Sequence, residues 1–387
     1  MTAGGIAGIG RVLVAGGGIG GLTLAHGLVR AGIDVRVREA DADVDVRTQG
    51  YRIGIGPPAV EVLRAALPER LFTLFQATTG DLTGPGYLFD DQLNLRDDDM
   101  EGPPPEARAI DRQVFRRILL TGLGDRIAYG KRLTGFTADC DTVRATFADG
   151  TEETADILVG AEGGGSAVRR TLLPEIGMEE SPLGGLMGRT PMTERFRRLV
   201  PGRGTMIKGP DATLMLGRME FAREPSAAAA GLAPDVRMPH RDSYVRWVLM
   251  LPPEHPDAGR RVPDDAVTFA LGLLEGWHPD LLDLVRASDM AAGGRARILD
   301  RPVTPRPASR VTMLGDAAHL TLASGGNGAN TAIEDARRLC AGLAEVDRGE
   351  RGLLPMLADY QADMLERGNA AVAFSKRALK RFVPAGP

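Results

Sequence analysis

Cysteine, histidine and tryptophan are scarce in this chain of 387 residues, and each scarcity excludes something. Two cysteines, Cys140 and Cys340, make neither a disulfide framework nor a thiolate metal site. They read as two buried thiols in a reducing cytoplasm. The five histidines are His26, His240, His255, His278 and His319, and none lies in an HExxH pattern, so no metal enzyme is expected. The only tryptophans, Trp247 and Trp277, form no Trp-x-Trp pair, which argues against a flavin halogenase. No apolar run approaches the ~18 residues of a membrane helix. Residues 1–10 are small and glycine-rich and do not read as a signal peptide. Excess charge is missing too: 47 basic against 51 acidic residues leave −4, with no basic excess for nucleic acid. The expectation is a cytoplasmic protein with neither membrane nor nucleic-acid partner.

Glycine is abundant instead, at 50 residues, beside 26 prolines. With 43% hydrophobic residues the excess does not signal disorder, and no G-X-Y period runs through it. The glycines cluster. Arg11–Ala15 is a short apolar run typical of a buried parallel strand, and Gly16-Gly-Gly18-Ile-Gly-Gly21 follows at once. Leu22, Ala25, Leu28 and Val29 then recur at helical spacing up to Ala31, with Gly32 as the stop. Asp34–Glu39 alternates as a second strand. This is the strand–turn–helix–strand of a dinucleotide site. Gly16 permits the turn, Gly18 lets a pyrophosphate approach, and Gly21 lets the helix pack closely. Glu39 is placed to accept ribose hydroxyls.

Further along, residues 50–58 form a glycine-punctuated strand that leads into a helix at Pro57 or Pro58. Residues 81–105, with the run Asp97–Asp99, read as a solvated hairpin or loop. Asp111 reads as the N-cap of a helix through Leu119. Val143–Phe147, Asp149-Gly150 and the residues from Thr154 read as a hairpin. A second glycine junction follows Ile157–Gly160, as Ala161-Glu162-Gly163-Gly-Gly165-Ser166. Residues 181–297 hold over half of the 14 methionines, which suits an adaptable apolar pocket or ordinary core filling. Ser226–Leu232 reads as a small-residue loop or flexible insert, and Ala266–Val285 has helical spacing. The third junction is Val311–Leu314, then Gly315-Asp316-Ala-Ala-His319, then Gly325-Gly326-Asn327-Gly328-Ala-Asn330. Residues 354–382 read as an amphipathic helix.

Together these motifs resemble the FAD-dependent aromatic hydroxylases, the single-component flavin monooxygenases built like para-hydroxybenzoate hydroxylase. The likeness covers about 1–175 and 295–375. It rests on the first GxGxxG with Glu39, on Arg112, on Glu162-Gly163 where the family has Asp-Gly, on Gly315-Asp316, and on the Gly326-Asn327-Gly328-x-Asn330 loop. The resemblance implies an α/β chain. Its Rossmann-type FAD-binding domain would comprise 1–75, 105–180 and 298–345. A discontinuous β-sheet substrate domain would comprise 76–104 and 181–297, and a C-terminal helical segment 346–387.

The resemblance also implies roles. Gly16, Gly18, Gly21, Glu39, Arg112, Glu162, Gly163, Gly315, Asp316, Gly326, Asn327, Gly328 and Asn330 would hold FAD. NADPH or NADH would serve as transient reductant. O2 would react through a flavin C4a-hydroperoxide to hydroxylate or epoxidise an aromatic or polyketide-like small molecule. Monomer and homodimer both remain open. Two departures stand out: Glu162 for the family aspartate, and Ala323 where the family has proline. They motivate an alternative, an FAD-containing cyclase or scaffold in which the flavin is structural. Arg52, His240, Tyr244 and Arg246 are the polar candidates on the substrate side, and His319 reads as a loop-orienting residue.

Overall fold

A computed structural model describes residues 9–46, 52–100, 106–252, 254–258, 265–299, 301–322 and 326–379. Ala323, Gly325, Gly50 and Tyr51 lie outside them. The strand Val12–Ala15 sits in the middle of a five-stranded parallel sheet. It is flanked by Ile157–Gly160 and then Val311–Met313 on one side, and by Val35–Arg38 and then Ile127–Ala128 on the other. All four residues of the central strand are buried, as are those of Ile157–Gly160. A parallel sheet covered on both faces needs such unbroken apolar runs. The helix Ile19–Arg30 packs on the 20-residue helix Gly328–Asp347. Gly27 allows that approach, because a Cβ there would sit 2.8 Å from Cys340 Sγ.

This topology brings the three glycine junctions together. Val12–Ala15, Ile157–Gly160 and Val311–Met313 are adjacent and parallel, so their C-terminal ends lie side by side. Each end runs straight into one junction. Open α/β sheets bind ligands at that edge. The C-terminal helix Leu353–Leu379 packs on Gly328–Asp347, and Tyr360 Oη donates to Met313 O at 2.9 Å, tying it to the edge strand.

A seven-stranded sheet forms the other layer. Its order is Met290–Leu299, Met178–Pro191, Tyr244–Leu251, Thr213–Met219, Gly204–Lys208, Gly86–Asp90 and Leu95–Met100. Thus most of 81–105 is a strand pair inside this sheet, with Asp97 and Asp98 exposed on its edge. Alternation assigns the two faces. Val245, Trp247, Leu249 and Leu251 point into a core with the helices Ala266–Leu273 and Pro279–Arg286. Gly188 faces Trp247 across the pair, and any Cβ there would overlap the indole. Tyr244, Arg246, Val248 and Met250 point the other way. That face meets the strand Arg52–Ile55 of a small three-stranded sheet.

Three sequence expectations change here. Pro225–Leu232 is a helix, not a loop, because Glu224 caps it through Ser226 N and Ala227 N and Pro225 starts it. Residues 266–285 are two helices; the break falls at Gly276 with φ +83, and His278 Nδ1 caps the second. Cys140 is exposed rather than buried. Cys340 is half-buried, and burial pushes its thiol up to about 11.

Candidate functional site

Gly16 has φ +108, and a Cβ there would overlap the Ala161 backbone, so glycine alone fits this turn. Gly21 lies against Val14 and Ala161, each 3.2 Å from where its Cβ would be. Gly18 differs from both. Its backbone is extended, and a Cβ would find only Ala161 O, at 3.9 Å. The space beside Gly18 is therefore left for something other than protein. It opens into a cleft lined by Gly17, Gly18, Glu39, Arg112, Gln113 and Arg116.

Glu39 is buried at the end of its strand. Its Oε2 accepts from Gly17 N at 2.8 Å and its Oε1 from Asp41 N at 2.9 Å. Arg116 Nη2 lies 3.1 Å from Glu39 Oε2, and Arg116 Nε donates to Gly17 O at 3.1 Å. Arg116 was not among the sequence candidates. Its signal was present: it stands four residues after Arg112, so both project from one face of the helix Arg112–Leu120. That helix begins at Asp111, whose Oδ1 accepts from Gln113 N at 2.9 Å and Val114 N at 3.1 Å, as the N-cap reading expected.

At the second junction, Glu162 caps the helix Ala167–Leu172. It accepts from Ser166 Oγ at 2.8 Å and from Ala167 N and Val168 N at 3.1 Å each. Burial raises its carboxyl above the ordinary range against those hydrogen bonds. The extra methylene over aspartate thus has a visible use at the helix start. Arg169 is buried and stitches this junction to the third, donating to Gly164 O and, at 2.9 Å, to Ala317 O.

At the third junction Gly315 has φ +60 and opens a short turn through Ala317. Burial raises the Asp316 carboxyl, with His319 and Arg112 acting against that rise, so Arg112 and Asp316 share one electrostatic neighbourhood. Asp316 Oδ1 is 3.6 Å from the point where a Gly328 Cβ would sit. Asn330 clamps the glycine-rich strand: its Nδ2 donates to Gly54 O at 2.9 Å and its Oδ1 accepts from Gly56 N at 2.8 Å. Gly326 has φ +63, and Asn327 precedes the helix Gly328–Asp347.

A buried network that the sequence did not reveal holds this turn. Asp335 Oδ2 accepts from Gly315 N at 2.9 Å and bonds His319 Nε2 at 2.5 Å. Its Oδ1 meets Arg367 Nη2 at 2.8 Å. Burial alone would lower the His319 pKa. Asp335, helped by Asp316, outweighs it and holds the imidazole above its ordinary 6.5. The ring rests on Gly368, where a Cβ would lie 2.7 Å from Cγ. His319 is a loop-orienting residue on this geometry.

The substrate-side candidates divide. Tyr244, Arg246 and Arg52 come together where the sheet face meets the strand Arg52–Ile55, and Tyr244 Oη donates to Asp111 Oδ2 at 2.8 Å. His240 does not join them. Its side chain is 67% exposed, 3.3 Å from Glu224 and 3.2 Å from Asp242.

Comparison with known proteins fits this geometry. The sequence profile described as FAD binding domain matches residues 10–375. The chain belongs to this FAD-binding family, and several of its relatives are named FAD-dependent monooxygenases. It is 30% identical over 96% of its length to the dual O-methyltransferase/FAD-dependent monooxygenase of Cercospora beticola, of which it covers 46%. The chain therefore spans about half the length of that relative. It is 27% identical to an FAD-dependent monooxygenase of Trichoderma harzianum, with 95% of this chain and 92% of that one covered. A solved FAD-containing monooxygenase structure from Photorhabdus luminescens superposes at a TM-score of 0.82, with 27% identity, over 96% of this chain and 98% of that one.

The residues present fit the family's cofactor. Gly18 leaves its space open, the first turn of Ile19–Arg30 offers backbone N–H groups toward it, and a cationic pair, Arg112 and Arg116, lines the same cleft. Among the described residues no helix is long and apolar enough to cross a membrane.

Proposed function

We propose that the protein is a monooxygenase in which bound FAD, reduced by NADPH or NADH, inserts an oxygen atom from O2 into an aromatic or polyketide-like small molecule. The observation that carries this reading is a placement. Arg112 lines the Gly18 cleft, its charge acts on Asp316, Asp316 lies beside Gly328, and Asn330 bonds the strand Arg52–Ile55 that meets the seven-stranded sheet. FAD, when bound, supplies the redox chemistry; the protein supplies position and environment. Gly18 and the helix start would receive the pyrophosphate, and Glu39, already aligned by Gly17 and Arg116, would meet the adenosine ribose. Asp316 and Arg112 would hold the chain between the nucleotide and the ring. Asn330 fixes the strand Arg52–Ile55, and the backbone of the Gly326–Asn330 loop would hold the flavin ring.

Part of the sheet face opposite is apolar and adaptable. Met206 clusters there with Leu88, Met100, Met215 and Met250, apart from the Trp247 core, and Met187 is 38% exposed. A face of this kind suits a flat apolar substrate. The test is to purify the protein, record its flavin spectrum, and follow NADPH and NADH oxidation with oxygen uptake across a phenolic panel. Substrate-stimulated oxidation with a hydroxylated product is expected. A flavin-loaded protein that consumes neither reductant nor oxygen with any substrate would favour the structural-flavin alternative.

A further inference from the structure

The helix that lines the nucleotide cleft is held at its start from the other layer of the molecule. Asp111 ends the strand Arg108–Asp111 and opens the helix Arg112–Leu120. It is buried, and its two oxygens divide their work. Oδ1 caps the helix, accepting from Gln113 N and Val114 N. Oδ2 accepts from Tyr244 Oη of the seven-stranded sheet at 2.8 Å, across 133 residues of sequence. A second tie runs beside the first. Arg241 Nη2 donates to Gln113 Oε1 at 2.8 Å, and Arg241 Nε lies 4.0 Å from Asp111 Oδ2. Arg112 stands between the two tied residues and lines the Gly18 cleft, as does Arg116.

Tyr244 is itself fixed. It lies in a small apolar cluster with Leu82, Ala107, Ala109 and Met219, and Phe221 meets its ring edge-on at 6.4 Å. The Arg189 guanidinium lies 5.6 Å from the ring centroid and is bidentate on Asp289 at 3.0 Å. Packing alone would need only a phenylalanine here. The hydroxyl adds a bond, and the partner of that bond caps the helix of the cleft. Burial raises the Asp111 carboxyl; the Val114 N–H, the Tyr244 hydroxyl and the Gln113 N–H act against that rise. A satisfied buried network of this kind holds one geometry. Because Arg112 is the first helical residue, the place of its cap decides where its side chain starts.

We propose that Tyr244 and Arg241 are positioning residues for the cofactor: carried by the substrate-side layer, they fix the first turn of Arg112–Leu120 through Asp111 and Gln113, and so aim Arg112 and Arg116 into the cleft for FAD. The seven-stranded sheet thereby contributes to FAD affinity. The assignment rests on the FAD cradle and is independent of the oxygen chemistry.

The test titrates FAD into flavin-free protein by fluorescence quenching, beside a melting curve for each variant. Tyr244→Phe keeps the ring and removes the hydroxyl. Thr190→Val is the control. It removes a buried hydrogen bond of the same sheet, Thr190 Oγ1 to Leu284 O at 2.7 Å, on the side of the helix Pro279–Arg286. Both variants should melt somewhat below wild type, but only Tyr244→Phe should weaken FAD binding, by about tenfold. Arg241→Met should weaken it about threefold. Asp111→Ser can still cap the helix but has no second oxygen, so adding Tyr244→Phe to it should weaken FAD binding no further. Tyr244→Phe that binds FAD as tightly as wild type overturns the proposal. So does Thr190→Val that weakens FAD equally, or an effect of Tyr244→Phe that persists in full beside Asp111→Ser. Should Tyr244→Phe not fold, Arg241→Met decides, and an unchanged FAD affinity there overturns the proposal. Wild type that takes up no FAD overturns the cradle and the proposal together. Wild type that binds FAD, responds to Tyr244→Phe and hydroxylates nothing keeps the proposal and removes the hydroxylation reading.

Discussion

Two groups of arginines divide this molecule. In the nucleotide layer, Arg116 is joined to Glu39 and Gly17, Arg169 to Gly164 and Ala317, and Arg367 to Asp335 and Asp363. On the face of the seven-stranded sheet, Arg52 and Arg246 converge and make no ion pair among the described residues. The first group is scaffold: each cation is matched by a group that the fold delivers, and each match pins a glycine junction. In the second group no carboxylate offsets the charges among the described residues, and burial with the charge of Arg246 brings Arg52 down to about 9.

The contrast can be broken most severely at its matched side. Asp335→Ala removes the acceptor for Gly315 N, His319 and Arg367 at once and strands a buried cation. It is expected to lose about 3–5 kcal/mol in urea unfolding. Arg246→Met, by contrast, should lose nothing. Next comes Arg116→Met, which removes one partner of Glu39 and loosens the turn at Gly17. It should weaken FAD binding by about 1.5–3 kcal/mol, read by fluorescence quenching.

A pH series sharpens the same point. The folded pKa of His319 is raised above 6.5 by Asp335. Its contribution to stability is therefore complete below 6.5 and is lost as pH rises through the folded value. Wild type should exceed His319→Asn by most below 6.5, and the gap should shrink above it; a constant gap would count against the charged pair. Smallest of all is His240→Ala. Exposed and off the site, it should change stability by no more than about 0.5 kcal/mol and leave oxidation of NADPH or NADH unchanged.

Much of this was legible in the sequence because it is local. The strand–glycine–helix junctions, the Asp111 cap and the Asp149-Gly150 turn are each written within a few residues. The partners that weld them were not. Asp335 reads as one acid on a helix face, and Arg367 lies 32 residues further on; only the packing of two helices on the third junction joins them. Arg169 follows three glycines and an N-cap serine, and nothing nearby says it reaches Ala317. The helix at Pro225–Leu232 was hidden by its alanines, which give no apolar period, although Glu224 and Pro225 mark its start. The paired arginines were visible as residues, but their missing counter-charge is a property of space alone.

Gly18 offers the most direct measurement of the central claim, that the three junctions form an FAD cradle. Alanine there meets only Ala161 O, at 3.9 Å, and its extended backbone tolerates a side chain. Gly16→Ala would by contrast strike the Ala161 backbone and damage the fold itself. Titration of FAD into wild type and Gly18→Ala, beside a melting curve for each, separates fold from ligand. The account predicts one FAD per wild-type chain, an unchanged melting temperature for the flavin-free variant, and a clear loss of its FAD affinity. A Gly18→Ala protein that binds FAD as tightly as wild type would contradict it.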